Sequence, residues 1–229
     1  MDAPHFTDDT FAFLAALGMN NERTWFEAHK ARYEGSVREP ARAFIRAMAP
    51  LLAPLSPHLV ADDRKAGGSL MRVFRDTRFS KDKTPYKTNI GIQFRLGHDK
   101  DVHAPGLYVH ISPDELFLGA GMWHPPAEAL AAFRDRLVAE PDAWSAVIAP
   151  VSLGPGIALW DGEPLKRTPR GYPADHVHAE HLKRTSFLLS ADLSAPEVLS
   201  TDFAELTAAR FARMMPFMRF LCGALGLAI

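Results

Sequence analysis

Four short segments in the middle of the chain alternate apolar and polar residues with a period of two: 70–75, 90–96, 107–111 and 115–119. That period sends successive side chains to opposite faces, as in a strand with one face on a core. Only Ser112-Pro113-Asp114 separates the last two, a connection of hairpin type. Parallel neighbours need long, usually helical crossovers, so consecutive strands with little helix between them predict an antiparallel meander.

Helical periodicity flanks this block. Thr7-Asp8-Asp9 predicts an N-cap for a helix carrying Phe11, Leu14, Ala15 and Leu17 up to Gly18. Asn20-Asn21-Glu22 predicts a second, with Trp25, Phe26 and His29 on one face and an end near Tyr33 and Gly35. Pro40 suits the first turn of a third, whose stripe is Phe44, Ile45, Met48, Leu51 and Leu52, with Pro54 and Pro57 closing it. Helices are expected again from Pro126 to Leu137 and around Trp144 to Ile148, then a loop-rich stretch from Leu153 to Pro173. A strand over Phe187 to Ser190 follows. Asp202 is expected to cap a last helix, which Pro216 should kink or divide. The expected fold is therefore α+β, one domain over residues 1–229, with a mainly antiparallel sheet packed against N-terminal and C-terminal helices.

Charge narrows the function classes. Lys+Arg 26 against Asp+Glu 27 leaves a formal net charge of −1, so no global field draws the chain to nucleic acid or an anionic membrane. Cys222 is the sole cysteine, which excludes an intramolecular disulfide and any cysteine-based zinc or iron–sulfur framework. The start MDAPHFTDDTF lacks a basic, then apolar leader, and no charge-free stretch reaches bilayer length. A cytoplasmic protein without a membrane partner is expected.

Against this neutral background one stretch stands out. RDTRFSKDKTPYK, residues 75–87, belongs to a segment with eight basic residues between Arg64 and Lys87 and only Asp76 and Asp82 inside the basic cluster. Two readings compete. In one, the acids pair with neighbouring arginines to pin a loop while Phe79 and Tyr86 plug it into the core. In the other, the surplus cations hold an anion, because burying them without partners is costly and crowding them at the surface is repulsive. On a strand Arg72 and Arg75 point to opposite faces, so spacing alone does not decide whether Arg72, Arg75 and Arg78 converge.

The same residues carry a resemblance. R-x-x-R-D-x-R-F followed by D-K-x-x-Y falls on Arg72, Arg75, Asp76, Arg78, Phe79, Asp82, Lys83 and Tyr86. This is similar to the signature of DUF2461, a family of unknown function. NNERTWFEAHKARY (20–33), Pro105, Gly106, Tyr108 and His110, GAGMWHP (119–125) and LKRTPRGYPADH (165–176) resemble the same family. The resemblance implies relatives over most of the chain and implies no reaction.

Other motifs say less. The run from Asp175 to His181 holds His176, His178 and His181, yet histidines in a polar loop are more often solvated than metal-bound, and no metal or cofactor is assigned. Gly119-Ala120-Gly121 fits neither dinucleotide nor P-loop spacing and reads as a bend where another backbone comes close. His110 shares a strand face with Tyr108.

The leading expectation is an anionic small molecule, phosphate-bearing or carboxylate, held by Arg72, Arg75, Arg78, Lys83, Lys87 and Tyr108. Asp76, Tyr86 and His110 are then the candidates for orienting it or moving a proton, in polar transfer or hydrolysis. The alternatives are a nucleic-acid-binding module, with Phe79 or Tyr86 stacking on bases, and a scaffold docking an acidic partner. Oligomeric state is not legible.

Overall fold

A computed structural model describes residues 5–97 and 104–229; Met1 to Pro4, the first part of the polar N-terminus, lie outside them. Helix α1 (Asp8–Met19) begins where expected, its first turn locked by the Thr10 hydroxyl, which accepts from the Thr7 N–H at 3.2 Å and donates to the Ser36 carbonyl at 2.7 Å. The second predicted helix is broken. It forms α2 (Arg23–Ala28) and α3 (Lys30–Tyr33), with His29 between them at φ −109, ψ 13 and its ring Nδ1 bonded to the Trp25 carbonyl at 2.8 Å. Gly35 does not end it: a π-helical turn (Glu34–Arg38) carries the chain straight into α4 (Glu39–Leu52). The predicted apolar stripe of α4 is buried at Phe44, Ile45, Met48 and Leu52.

β1 (Leu59–Val60) precedes the basic stretch, and β2 (Ile90–Leu96), β3 (Gly106–Ile111) and β4 (Leu116–Met122) form the expected meander. After α5 (Ala127–Ala139), α6 (Pro141–Ile148) and the short α7 (Pro150–Leu153), β5 (Ile157–Leu159) appears inside the region expected to be loop. α8 (Ala179–Leu182), β6 (Phe187–Asp192), α9 (Ala195–Val198) and α10 (Phe203–Ala224) complete the order. The sheet runs β1-β2-β3-β4-β6-β5 with every pairing antiparallel, giving an α+β fold.

The strand expected over 70–75 is instead two isolated bridges, Leu70 to Ile92 and Phe74 to Tyr86. The alternation is present, but the partner changes midway. Met71 N–H donates to the Gly91 carbonyl (2.9 Å), whereas Arg75 N–H donates to Pro85 O (2.9 Å) and Lys87 N–H to Val73 O (2.7 Å). Residues 73–87 thus form an irregular hairpin leaning on the edge of β2.

The sheet's two faces differ in kind. One carries the rows Ile92, Val109, Leu118, Ala191 and Phe94, Leu107, Ala120, Leu189, almost all fully buried under α4 and α10. Phe94 meets Phe211 of α10 edge-on at 6.3 Å. α10 runs without interruption through Pro216, contrary to a division there. Phe211, Met214, Phe217, Met218 and Leu221 are all buried, and that apolar burial outweighs roughly the 3 kcal/mol cost of an internal proline. The opposite face carries Gly91, Gln93, Gly106, Tyr108, His110, Gly119, Gly121 and Ser190, small or polar residues that leave a trough.

The histidine run is absorbed by packing. The Trp144 indole N–H donates to His181 Nδ1 at 2.8 Å, and the His178 ring stacks on His181 at 5.3 Å. Burial first, then Arg184 and His178, hold the His181 pKa down to about 4 from 6.5. Between those values the unfolded chain binds a proton the folded ring refuses. This contribution to stability is complete above pH 6.5 and is lost as pH falls to 4. It amounts to about 2 kcal/mol once partial exposure is discounted. The urea midpoint is expected to drop between pH 7 and 4.5, and less so in His181→Asn, which keeps an acceptor but not the titration; equal slopes would contradict this.

Candidate functional site

The trough is a cavity of about 490 Å³ whose floor is the open face of β2, β3, β4 and β6. Met71, just before the irregular hairpin, and Lys87, at its end, form one wall. Trp123, just beyond β4, and Trp160, just beyond β5, form the other, their rings 4.9 Å apart at 50°. Glycines make it deep. At Gly91 a Cβ would stand 2.8 Å from the Tyr108 hydroxyl and 3.1 Å from Met71 Sδ, so the absent side chain is what leaves room for the Tyr108 ring. At Gly121, φ +134, a Cβ would fall 2.0 Å from the Phe187 carbonyl oxygen, the close backbone approach expected there.

Gly119 differs: a Cβ there meets nothing closer than 3.6 Å. A larger side chain at this position therefore fills the cavity without disturbing the ladder. Gly119→Leu is expected to change the denaturation midpoint little while abolishing ligand uptake, as calorimetry or fluorescence titration would show; unchanged uptake would mean that the cavity is not the site.

Three of the residues expected from sequence meet in this trough: Lys87, Tyr108 and His110. Tyr108 and His110 are two apart on β3 and share its open face, with the phenol oxygen 3.2 Å from His110 Nδ1. Asn89 also hydrogen-bonds the phenol, but burial dominates and pushes the Tyr108 pKa up to about 12. Burial likewise lowers His110, which Glu115 partly offsets, and Phe117 stacks on the imidazole at 4.7 Å and 7°. The pair is thus a neutral hydrogen-bonded couple at neutral pH. Lys87 is half-buried, and among the described residues no carboxylate or hydrogen-bond acceptor engages its ammonium. Burial first, and the Arg72 charge second, lower its pKa. Arg72 too has no ion pair among the described residues, although Asp76 lies within its field.

The remaining cations are otherwise engaged and do not converge with these. Arg78 is held by Asp76, Nη2 to Oδ2 at 2.7 Å and Nε to Oδ1 at 2.9 Å. Arg75 donates to Asp82 and to Thr84, and the Lys83 ammonium donates to the Thr77 carbonyl at 2.8 Å. Asp76 is lowered to about 2, chiefly by Arg78, and Asp82 to about 2, chiefly by the Thr84 backbone N–H and then by Arg75. These acids lie a few residues from their partners, so the turn of the hairpin itself brings them together. Loop pinning accounts for Arg75, Arg78 and Lys83.

Tyr86 is elsewhere again. Its ring is 2% exposed and stacks on Phe26 at 4.1 Å and 19°, while Asn21 clamps its backbone through bonds of 2.9 and 3.0 Å. With Arg75, Phe74, Arg23 and Glu27 it lines a separate, shallower cavity of about 320 Å³. Half of the plugging expectation fails: Tyr86 is in the core, but Phe79 is 95% exposed.

Trp123, Trp160, Gln93 and Ser190 line the trough without having been singled out. Trp123 sits inside GAGMWHP, where the glycines drew attention instead. Trp160 follows a three-residue strand in a segment with no readable period.

Among the described residues no helix is long and apolar enough to cross a membrane. No curated protein matches the chain. The family model described as a conserved hypothetical protein, DUF2461, matches residues 9–220, and the chain belongs to that family.

Proposed function

We propose that the protein binds an anionic small molecule with an apolar body in the trough above the sheet. Its charged group lies at Lys87 and Arg72, and its body rests between Met71, Leu188 and the indoles of Trp123 and Trp160. One observation carries this reading: Lys87, half-buried and without a carboxylate partner among the described residues, lines an apolar cavity within the field of a second cation, Arg72. Such an arrangement is unfavourable when empty and is relieved by an anion. Largely apolar, concave sites with a few convergent polar groups are the usual form of small-molecule sites. Tyr108 and His110 then orient the ligand's polar end. A cytoplasmic setting belongs to the same reading, supported by the sole cysteine, Cys222, being buried with its thiol pushed up to about 12.

A thermal-shift panel tests this with phosphate, a hexose phosphate, a nucleotide, phenylacetate and a short oligonucleotide. A ligand that binds only the folded state at about 100 times its Kd adds about 2.7 kcal/mol of stability. Stabilisation by phenylacetate in wild type and not in Gly119→Leu is the expected result; no shift with any small anion would refute the proposal.

Phe79 supports a second reading. It stands 95% exposed, with the Arg78 guanidinium 5.8 Å from its ring centroid and Lys81 and Lys83 exposed beside it, as a base-stacking residue on a nucleic-acid surface would. Stabilisation by the oligonucleotide alone, steeply weakened by salt and lost in Phe79→Ala, would favour that reading over the trough.

A further inference from the structure

We propose that Lys87 is a nucleophilic amine that forms an imine with the carbonyl carbon of a 2-oxo acid bearing an apolar side chain. The inference rests on the binding reading above and adds a reaction to it. Three features of the trough converge on this chemistry. Among the described residues Lys87 has no carboxylate to hold it as an ammonium, in contrast to Arg75 and Arg78 of the same hairpin. Arg72, exposed and outside the cavity lining but within electrostatic range, is a second cation that disfavours the protonated amine, and the ligand's carboxylate would point toward it. Desolvation and a cationic neighbour are the two established ways of making a lysine a nucleophile. The third feature is the Tyr108–His110 couple on the floor of the same cavity. Among the described residues, the titratable and charged groups gathered around Lys87 are Arg72, Tyr108 and His110.

The step balances without an oxidant or reductant. The neutral Lys87 nitrogen donates its lone pair to the carbonyl carbon, a C–N bond forms, and the π pair of C=O moves to oxygen, which takes a proton from the Tyr108–His110 couple. The nitrogen of the resulting carbinolamine loses a proton back to that couple. Its hydroxyl then leaves as water with a proton from the same couple, the nitrogen lone pair completes C=N, and the iminium N–H returns that proton to the couple. One amine and one carbonyl give one imine and one water. The apolar side chain of the oxo acid occupies the space toward Trp123, Trp160 and Leu188, in a cavity of about 490 Å³ that an acid group alone would not fill.

The test is reductive trapping. Full-length protein is incubated with phenylpyruvate and sodium borohydride, and its intact mass and peptide map are read. The expected result is one adduct per chain, heavier by phenylpyruvate less one oxygen atom and mapping to Lys87, with Lys81→Ala as a control that retains it. In Lys87→Arg trapping should fall by at least about tenfold. Parallel titration with phenylacetate, which has the acid and ring but no carbonyl to attack, separates the two readings. If phenylacetate binds and phenylpyruvate gives no adduct, or one scattered over other lysines and kept in Lys87→Arg, the imine is refuted and the binding reading stands. If neither compound binds, both fall.

Discussion

Exchanging Lys87 for methionine is expected to weaken phenylacetate binding by about 10- to 100-fold, the loss of one hydrogen bond to a charged group worth about 1.5–3 kcal/mol. The same exchange should leave the melting temperature of the free protein unchanged or higher. The lysine is half-buried, no acid pairs with it among the described residues, and Arg72 repels it, so its charge contributes nothing favourable to the empty fold. Methionine keeps the length and the apolar contact of the aliphatic stem. Loss of binding with retained stability is the signature of a group kept for a ligand. A markedly lower melting temperature would show instead that Lys87 holds the hairpin in place.

Tyr86 is expected to behave in the opposite way. Tyr86→Ala removes a fully buried ring stacked on Phe26 and tilted against Phe74, and should cost about 3–5 kcal/mol in urea denaturation. Tyr86→Phe keeps the stack and should cost no more than about 1 kcal/mol. A proton-transfer role would reverse that pattern, with the phenylalanine variant stable and functionally dead. The tyrosine of the D-K-x-x-Y signature thus reads as an anchor that fixes the hairpin against α2, and through it the position of Lys87 beyond.

Much of this is legible in the sequence, and the reasons differ from element to element. β2, β3 and β4 were readable because each keeps a strict period of two while facing a core on one side, and a slip of register would turn Ile92, Val109 and Leu118 outward. β5 was not, since three residues carry no period. The stretch over 70–75 misled because alternation reports which side is buried and not whether one partner persists, and here the partner switches from β2 to residues 85–87.

The candidate site divides along the same line. Tyr108 and His110 share a face by strand geometry alone, so their pairing followed from spacing. Lys87 was one of eight clustered cations with nothing to single it out. What distinguishes it is half-burial on the cavity wall, whereas Asp76 and Asp82 neutralise Arg78 and Arg75 across a turn whose shape no spacing rule supplies. Trp160 is brought to the cavity by the pairing of β5 with β6, a contact between segments about thirty residues apart.

The central claim is that the trough above the open face of the sheet, with Lys87 on its wall, is a ligand site. A fluorescence titration of native protein with 8-anilinonaphthalene-1-sulfonate tests it most directly, because that dye joins an apolar body to a single anion. The prediction is saturable, blue-shifted emission at one site per chain, displaced by phenylacetate, weakened in Lys87→Met and absent in Gly119→Leu. Emission of equal strength in the wild type and both variants, or none in the wild type, would contradict it.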